Sequence, residues 1–96
     1  MIQSFADAVT EALFHGTSTA KVKRVPPDVR RVALRKLDML NAAHQLEDMR
    51  SPPGNRLEAL RGDLRGFHSV RVNEQWRVVF RWSKGGPSDV SLTDYH

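Results

Sequence analysis

Apolar and polar positions along this chain change period once, near its middle. In the first half they recur at helical spacing. Residues 2–5 read as a short first strand. Ala8, Val9, Ala12 and Leu13 then define a helix over residues 6–14, and His15-Gly16 supplies its stop. Gly16-Thr17-Ser18-Thr19 is a loop. Pro26-Pro27-Asp28 opens a longer helix: proline suits a first turn whose N–H groups lack partners, and an acid there complements the helix dipole. Val29, Val32, Ala33, Leu37 and Leu40 form its single apolar stripe, which fades near residue 43. Arg30, Arg31 and Arg35 point largely away from that stripe.

Ser51-Pro52-Pro53-Gly54-Asn55 breaks the chain, and beyond it the period is two. Residues 56–60 read as a strand, Arg61-Gly62-Asp63 with Gly66 as turn chemistry, and residues 67–72 as a second strand. Residues 75–82 alternate cleanly, with Trp76, Val78, Phe80 and Trp82 on one face and Arg77, Val79 and Arg81 on the other. Residues 83–87 form a hairpin loop, and Val90 and Leu92 mark a last strand running to the C-terminus. The pattern predicts an α+β fold: two N-terminal helices packed on the apolar face of a small, mainly antiparallel, twisted sheet.

Register sharpens the picture. A three-residue loop at 73–75 pairs Val72 with Trp76 and Val70 with Val78, keeping the apolar side chains on one face. By the same logic the five-residue loop 83–87 pairs Trp82 with Ser88 and Phe80 with Val90. The outer face then sets Arg71 beside Arg77, Arg77 opposite Thr93 and Arg81 opposite Asp89, with Tyr95 diagonal to Arg77. Two arginines side by side on a sheet repel unless an anion or nearby acids compensate.

The 96 residues predict one domain, 1–96, too small for a Rossmann-type or barrel enzyme. With no cysteine, disulfides, thiolate chemistry and Cys-based metal sites are excluded. The N-terminal residues lack the basic and apolar regions of a signal peptide, and no apolar run approaches a membrane span, so a cytoplasmic protein without a membrane partner is expected. The net charge of +4 is clustered: residues 21–36 carry +6 and residues 50–84 carry +5, while the remaining segments are acidic. Eleven of the fifteen basic residues are arginine, whose planar fork matches phosphate oxygens in pairs. A polyanion partner, nucleic acid above all, fits this clustering; an acidic protein fits it too.

Asp94-Tyr95-His96 offers a carboxylate, a phenol and an imidazole, the groups of general acid–base catalysis near neutral pH, although terminal tripeptides are also common sites of fraying. Strand parity turns His68 to the core. His15 and His44 lie near helix ends, and the four histidines show no metal-ligand spacing, so neither a metal nor another cofactor is expected. Trp76 and Trp82 are core or interface residues. Phe67, on the arginine face, is the one aromatic besides Tyr95 placed to meet a base.

The stretch Arg56-Leu-Glu-Ala-Leu-Arg-Gly-Asp-Leu-Arg-Gly-Phe-His-Ser-Val-Arg-Val-Asn-Glu-Gln-Trp-Arg-Val-Val-Phe-Arg resembles the core signature of HigB toxins, a branch of the RelE superfamily of bacterial toxin–antitoxin systems. The Met-Ile-Gln-Ser-Phe opening and the closing Asp94-Tyr95-His96 fit that branch too. The resemblance implies a RelE-like fold and a ribosome-dependent endoribonuclease. Such an enzyme enters the decoding site of the small subunit, cuts mRNA by metal-independent 2′-OH attack and stops translation. It also implies a HigA-type helix-turn-helix antitoxin, with operator DNA reached only through that antitoxin. Carried over residue by residue, the catalytic set is Arg77, Asp94, Tyr95 and His96, and Arg61, Arg65, Arg71 and Arg81 help to hold RNA. One position departs: some relatives carry His where this chain has Glu58. The rival expectation is a catalytically silent relative that only binds the ribosome or its antitoxin.

Overall fold

The computed structural model describes residues 1–95. Three α-helices, α1 (Ala8–His15), α2 (Ala20–Arg24) and α3 (Pro27–Ala42), precede four strands, β1 (Glu58–Ala59), β2 (Phe67–Arg71), β3 (Trp76–Ser83) and β4 (Gly86–Asp94). The strands form one antiparallel sheet in the order β1-β2-β3-β4.

Each helix starts where its sequence provides for unpaired N–H groups. The Asp7 carboxylate accepts from the Thr10 N–H at 2.7 Å, and α1 ends at Gly16 with φ 74°, a left-handed conformation that glycine adopts without penalty. Helix α2 corrects the expectation of two helices. Thr19 Oγ1 caps it at 3.1 Å, and the burial of Val22 holds this five-residue, largely basic helix in place. Helix α3 buries Val29, Ala33, Leu37 and Leu40 as the stripe predicts, but Val32 is only half-buried. Lys36 is buried instead. The core joins α3, Leu13 and Met49 of the turn at Leu46–Arg50 to Val70, Val78, Phe80 and Val90 on the inner face of the sheet.

Lys36 is buried for a reason that periodicity does not show. Its Nζ donates to Asn55 Oδ1 at 2.6 Å, and Asn55 Nδ2 donates to the carbonyls of Met49 at 3.0 Å and Ser51 at 3.2 Å. Burial lowers the Lys36 pKa from 10.5, and the neighbouring Arg35 charge lowers it further. This hub ties α3 to the connection that feeds β1.

The inner half of the β2–β3–β4 register is as expected. Val72 N–H donates to the Trp76 carbonyl at 2.9 Å, closing the three-residue loop, and Val70 pairs with Val78, Arg71 with Arg77 and Arg77 with Thr93. The outer half is shifted by one residue. A bulge lies between Val79 and Arg81, so Arg81 faces Ser88 rather than Asp89, and Trp82 faces Pro87 rather than Ser88. The expected Phe80–Val90 pairing is not made, and the turn is the two residues Lys84-Gly85 instead of a five-residue loop. Asp89 absorbs the extra residue at φ 50°, a conformation that Asp tolerates better than most side chains.

The expected strand at 2–5 reduces to a parallel bridge between Phe5 and Val90. Its backbone nevertheless pairs with the outer edge of β4: Gln3 N–H donates to Pro87 at 2.7 Å, and Ala6 N–H donates to Val90 at 2.9 Å. An exposed sheet edge is thereby covered. β1 is shorter than residues 56–60, because Arg56 turns left-handed at φ 46°.

Candidate active site

Alternation along β3 points Arg77 away from the helices, and the β1–β2 pairing places Glu58 within its reach. Arg77 Nη1 donates to Glu58 Oε2 at 3.3 Å, and Nη2 donates to the Arg56 carbonyl at 3.0 Å. The Arg77 side chain is 17% exposed and that of Glu58 is 55% exposed. Arg77 Nε is buried and has no partner among the described residues. The guanidinium is thus held from two sides with one nitrogen unspent.

Arg71 sits directly opposite Arg77 and makes no ion pair among the described residues. Glu58 relieves the repulsion between them from one side only. Both arginines, with Arg56, Glu58, Asn73, Glu74 and Tyr95, line an open cleft of about 340 Å³. Asn73 Oδ1 accepts from the N–H groups of Gln75 at 2.8 Å and Trp76 at 2.7 Å, which fixes the loop bordering this cleft.

The end of β4 is clamped by Gln75. Its carbonyl accepts from Tyr95 N–H at 2.6 Å, and its side-chain amide donates to Asp94 Oδ1 at 2.9 Å. Tyr95 therefore stands at the rim of the cleft, backbone fixed and side chain exposed.

Of the expected residues, the fold brings Arg71, Arg77 and Tyr95 into one cleft. Asp94 lines an adjoining groove instead. Arg81 lies beyond the bulge with its guanidinium 4.8 Å from the Phe67 ring centroid, and the exposed Arg61 and Arg65 flank the short turn Gly62–Leu64 outside the cleft. His96 lies outside the described residues. His68 faces inward as parity predicts, its ring stacked on Phe80 at 6.2 Å. Among the described residues, no group of three or more His, Asp and Glu is arranged to hold a metal ion. The sequence reading missed Arg56 and Gln75, and it knew Glu58 only as a departure. The Glu58–Arg77 pairing depends on β1–β2 register, which the irregular turn between them leaves undefined in sequence. Gln75 carried a signal, since it adjoins Trp76 and Arg77 in the quoted signature.

A small antiparallel sheet with helices on one face and an arginine-lined cleft on the other defines a RelE-like toxin fold. A chain of the YoeB-YefM complex from Staphylococcus aureus superposes with a TM-score of 0.60 over 100% of this chain and 98% of that one, at 14% identity. The family described as RelE-like toxins of the type II toxin–antitoxin system HigB matches residues 3–96, and the chain belongs to it. It is 46% identical over 71 residues to Toxin HigB-1 of Vibrio cholerae, covering 74% of this chain and 70% of that protein. It is 29% identical over 96 residues, all of both chains, to Endoribonuclease HigB of Proteus vulgaris. Family membership makes it the toxin of a type II pair, whose partner is an antitoxin. Among the described residues no helix is long and apolar enough to cross a membrane.

Proposed function

We propose that this chain is a cytoplasmic, ribosome-dependent mRNA endoribonuclease, neutralised by a HigA-type helix-turn-helix antitoxin that alone brings it to operator DNA. The observation that carries the reading is the cleft in which Arg77, Arg71, Glu58 and Tyr95 converge. Its relative from Proteus vulgaris, named an endoribonuclease, supports the chemistry.

The reaction is attack of a ribose 2′-oxygen on the adjacent phosphorus, with the P–O5′ bond breaking to leave a 2′,3′-cyclic phosphate. A phosphodiester entering the cleft meets two guanidinium groups that keep their charge at any working pH, suited to the charge growing on the phosphorane. Its oxygens compete with Glu58 for Arg77. Released from that ion pair, the Glu58 carboxylate acts as the base and takes the 2′-OH proton. Tyr95 at the rim hydrogen-bonds the phosphate or carries a base. His96 is the acid that protonates the leaving 5′-oxygen, the imidazole being a side chain that exchanges protons near neutral pH, and Asp94 orients it. A cleft this shallow does little to align the 2′-oxygen with the leaving group, so the ribosome supplies the alignment.

Regulated expression in a bacterial host, with transcript ends mapped by sequencing, tests the reading. It predicts growth arrest with transcripts cut inside open reading frames, and no arrest with Arg77→Ala. Arrest with intact transcripts identifies a silent toxin that only occupies the ribosome. Normal growth with the wild type contradicts the reading outright.

A further inference from the structure

Cleavage chemistry leaves one feature of the outer face unused. Beside the cleft runs a groove of about 810 Å³, lined in part by Leu64, Phe67, Val79, Asp89, Thr93 and Tyr95. Val79 is buried at 4% exposure although it faces away from the helices, so this face has an apolar floor of its own. Leu64 at 39% and Tyr95 at 37% exposure are large apolar side chains left open at its walls. Tyr95 lines both cavities, so the groove adjoins the cleft at that side chain.

We propose that this groove is a nucleobase subsite. A strand with its phosphate between Arg71 and Arg77 lays a neighbouring base past Tyr95 and onto Phe67. The inference rests on the RNA-cleaving reading of the cleft and adds a source of sequence preference to it. Three observations carry it. Phe67 already stacks with the Arg81 guanidinium, and a base extends a planar stack of this kind. Apolar floor and aromatic walls match the faces of a base, whereas the charged cleft next door matches its phosphate. The Asp89 carboxylate on the wall is an acceptor only and makes no side-chain bond among the described residues, while the Ser91 and Thr93 hydroxyls bond each other at 2.9 Å. A carboxylate takes a hydrogen bond from an exocyclic amino group, which adenine, cytosine and guanine carry and uracil lacks, so amino-bearing bases are favoured over uracil.

The test uses a 2′-O-methyl trinucleotide carrying 2-aminopurine at one end, which binds without being cut. Wild-type protein quenches the fluorophore on binding, and cytosine-containing competitors displace it better than uracil-containing ones. Phe67→Ala loses the quenching and binds roughly 5- to 100-fold more weakly, the usual range for a lost stacking partner. Phe67→Leu, which keeps an apolar side chain, does the same while melting close to wild type. Asp89→Asn keeps the quenching but loses the cytosine preference. Arg77→Gln binds more weakly yet still quenches at saturation, which separates failure of the groove from failure of the cleft. Unchanged quenching and affinity in both Phe67 variants overturn the proposal, as does the absence of binding by the wild type at millimolar probe. Phe67 variants that bind the probe normally but escape antitoxin neutralisation overturn it too, assigning the groove to protein.

Discussion

At the scale of single residues, Arg77 owes its suitability to restraint. A surface arginine loses several rotamers on meeting a ligand, but this one is already fixed by Glu58 and the Arg56 carbonyl, at 3.3 and 3.0 Å. Arg71 is the looser partner, opposite it with no ion pair among the described residues. Behind them, Lys36 trades stability for position. Its folded-state pKa lies below the 10.5 of a free lysine, chiefly because burial disfavours the charged form. Below the folded pKa the ammonium is charged in both states and its burial opposes folding. Between the folded and unfolded values the unfolded chain binds more protons, so stability rises with pH there. Denaturant unfolding of wild type and Lys36→Met across the alkaline range therefore separates the two: the difference in stability shifts toward the wild type as pH approaches 10.5. A difference independent of pH contradicts this account of Lys36.

At the scale of elements, the site is assembled at irregularities. Arg56 at φ 46° ends the Asn55 hub and starts β1, and Asp89 at φ 50° makes the bulge that separates Arg81 from the cleft. Neither has a local sequence signal, which is why the alternation of residues 75–82 predicted the pairing up to Val79 and failed beyond it. The three-residue loop at 73–75 was legible because only that length keeps Val70, Val72, Trp76 and Val78 on one face. Lys36 sits on the helical stripe but was passed over as a charge, since its partner Asn55 is far away in sequence. Helix α2 was missed although Thr19 is a strong N-cap type, because its five residues bury little beyond Val22. Edge closure by the N-terminal segment depends on Gly86, which has φ 129°, and where a Cβ would lie 2.6 Å from the Met1 carbonyl oxygen. Backbone cannot yield there as a flexible side chain would. Gly86→Ala is expected to lower stability by about 1–3 kcal/mol and to raise amide exchange at Gln3 and Ala6, which bond to β4. Normal protection of those amides in the variant contradicts the assigned edge.

At the scale of the molecule, the +4 charge resolves into two surfaces. The basic run at residues 21–36 lies on the helical side, and Arg71, Arg77 and Arg81 lie on the sheet face. Family and fold were legible because the signature runs through β1, β2 and β3, the elements that carry the cleft. The layout of the cleft was only partly legible, since Glu58 reaches Arg77 through tertiary pairing and Asp94 lines the neighbouring groove. The central claim is that Arg77 stabilises charge during 2′-OH attack. It is tested most directly by single-turnover cleavage of ribosome-bound mRNA by purified wild type and Arg77→Gln, using a message with one 2′-deoxy nucleotide at the mapped cut. The account predicts 2′,3′-cyclic phosphate ends from wild type and no cutting at the deoxy position. For Arg77→Gln it predicts a rate roughly 100-fold lower or worse, with unchanged melting. Cleavage by Arg77→Gln at the wild-type rate, or cutting at the deoxy nucleotide, contradicts it.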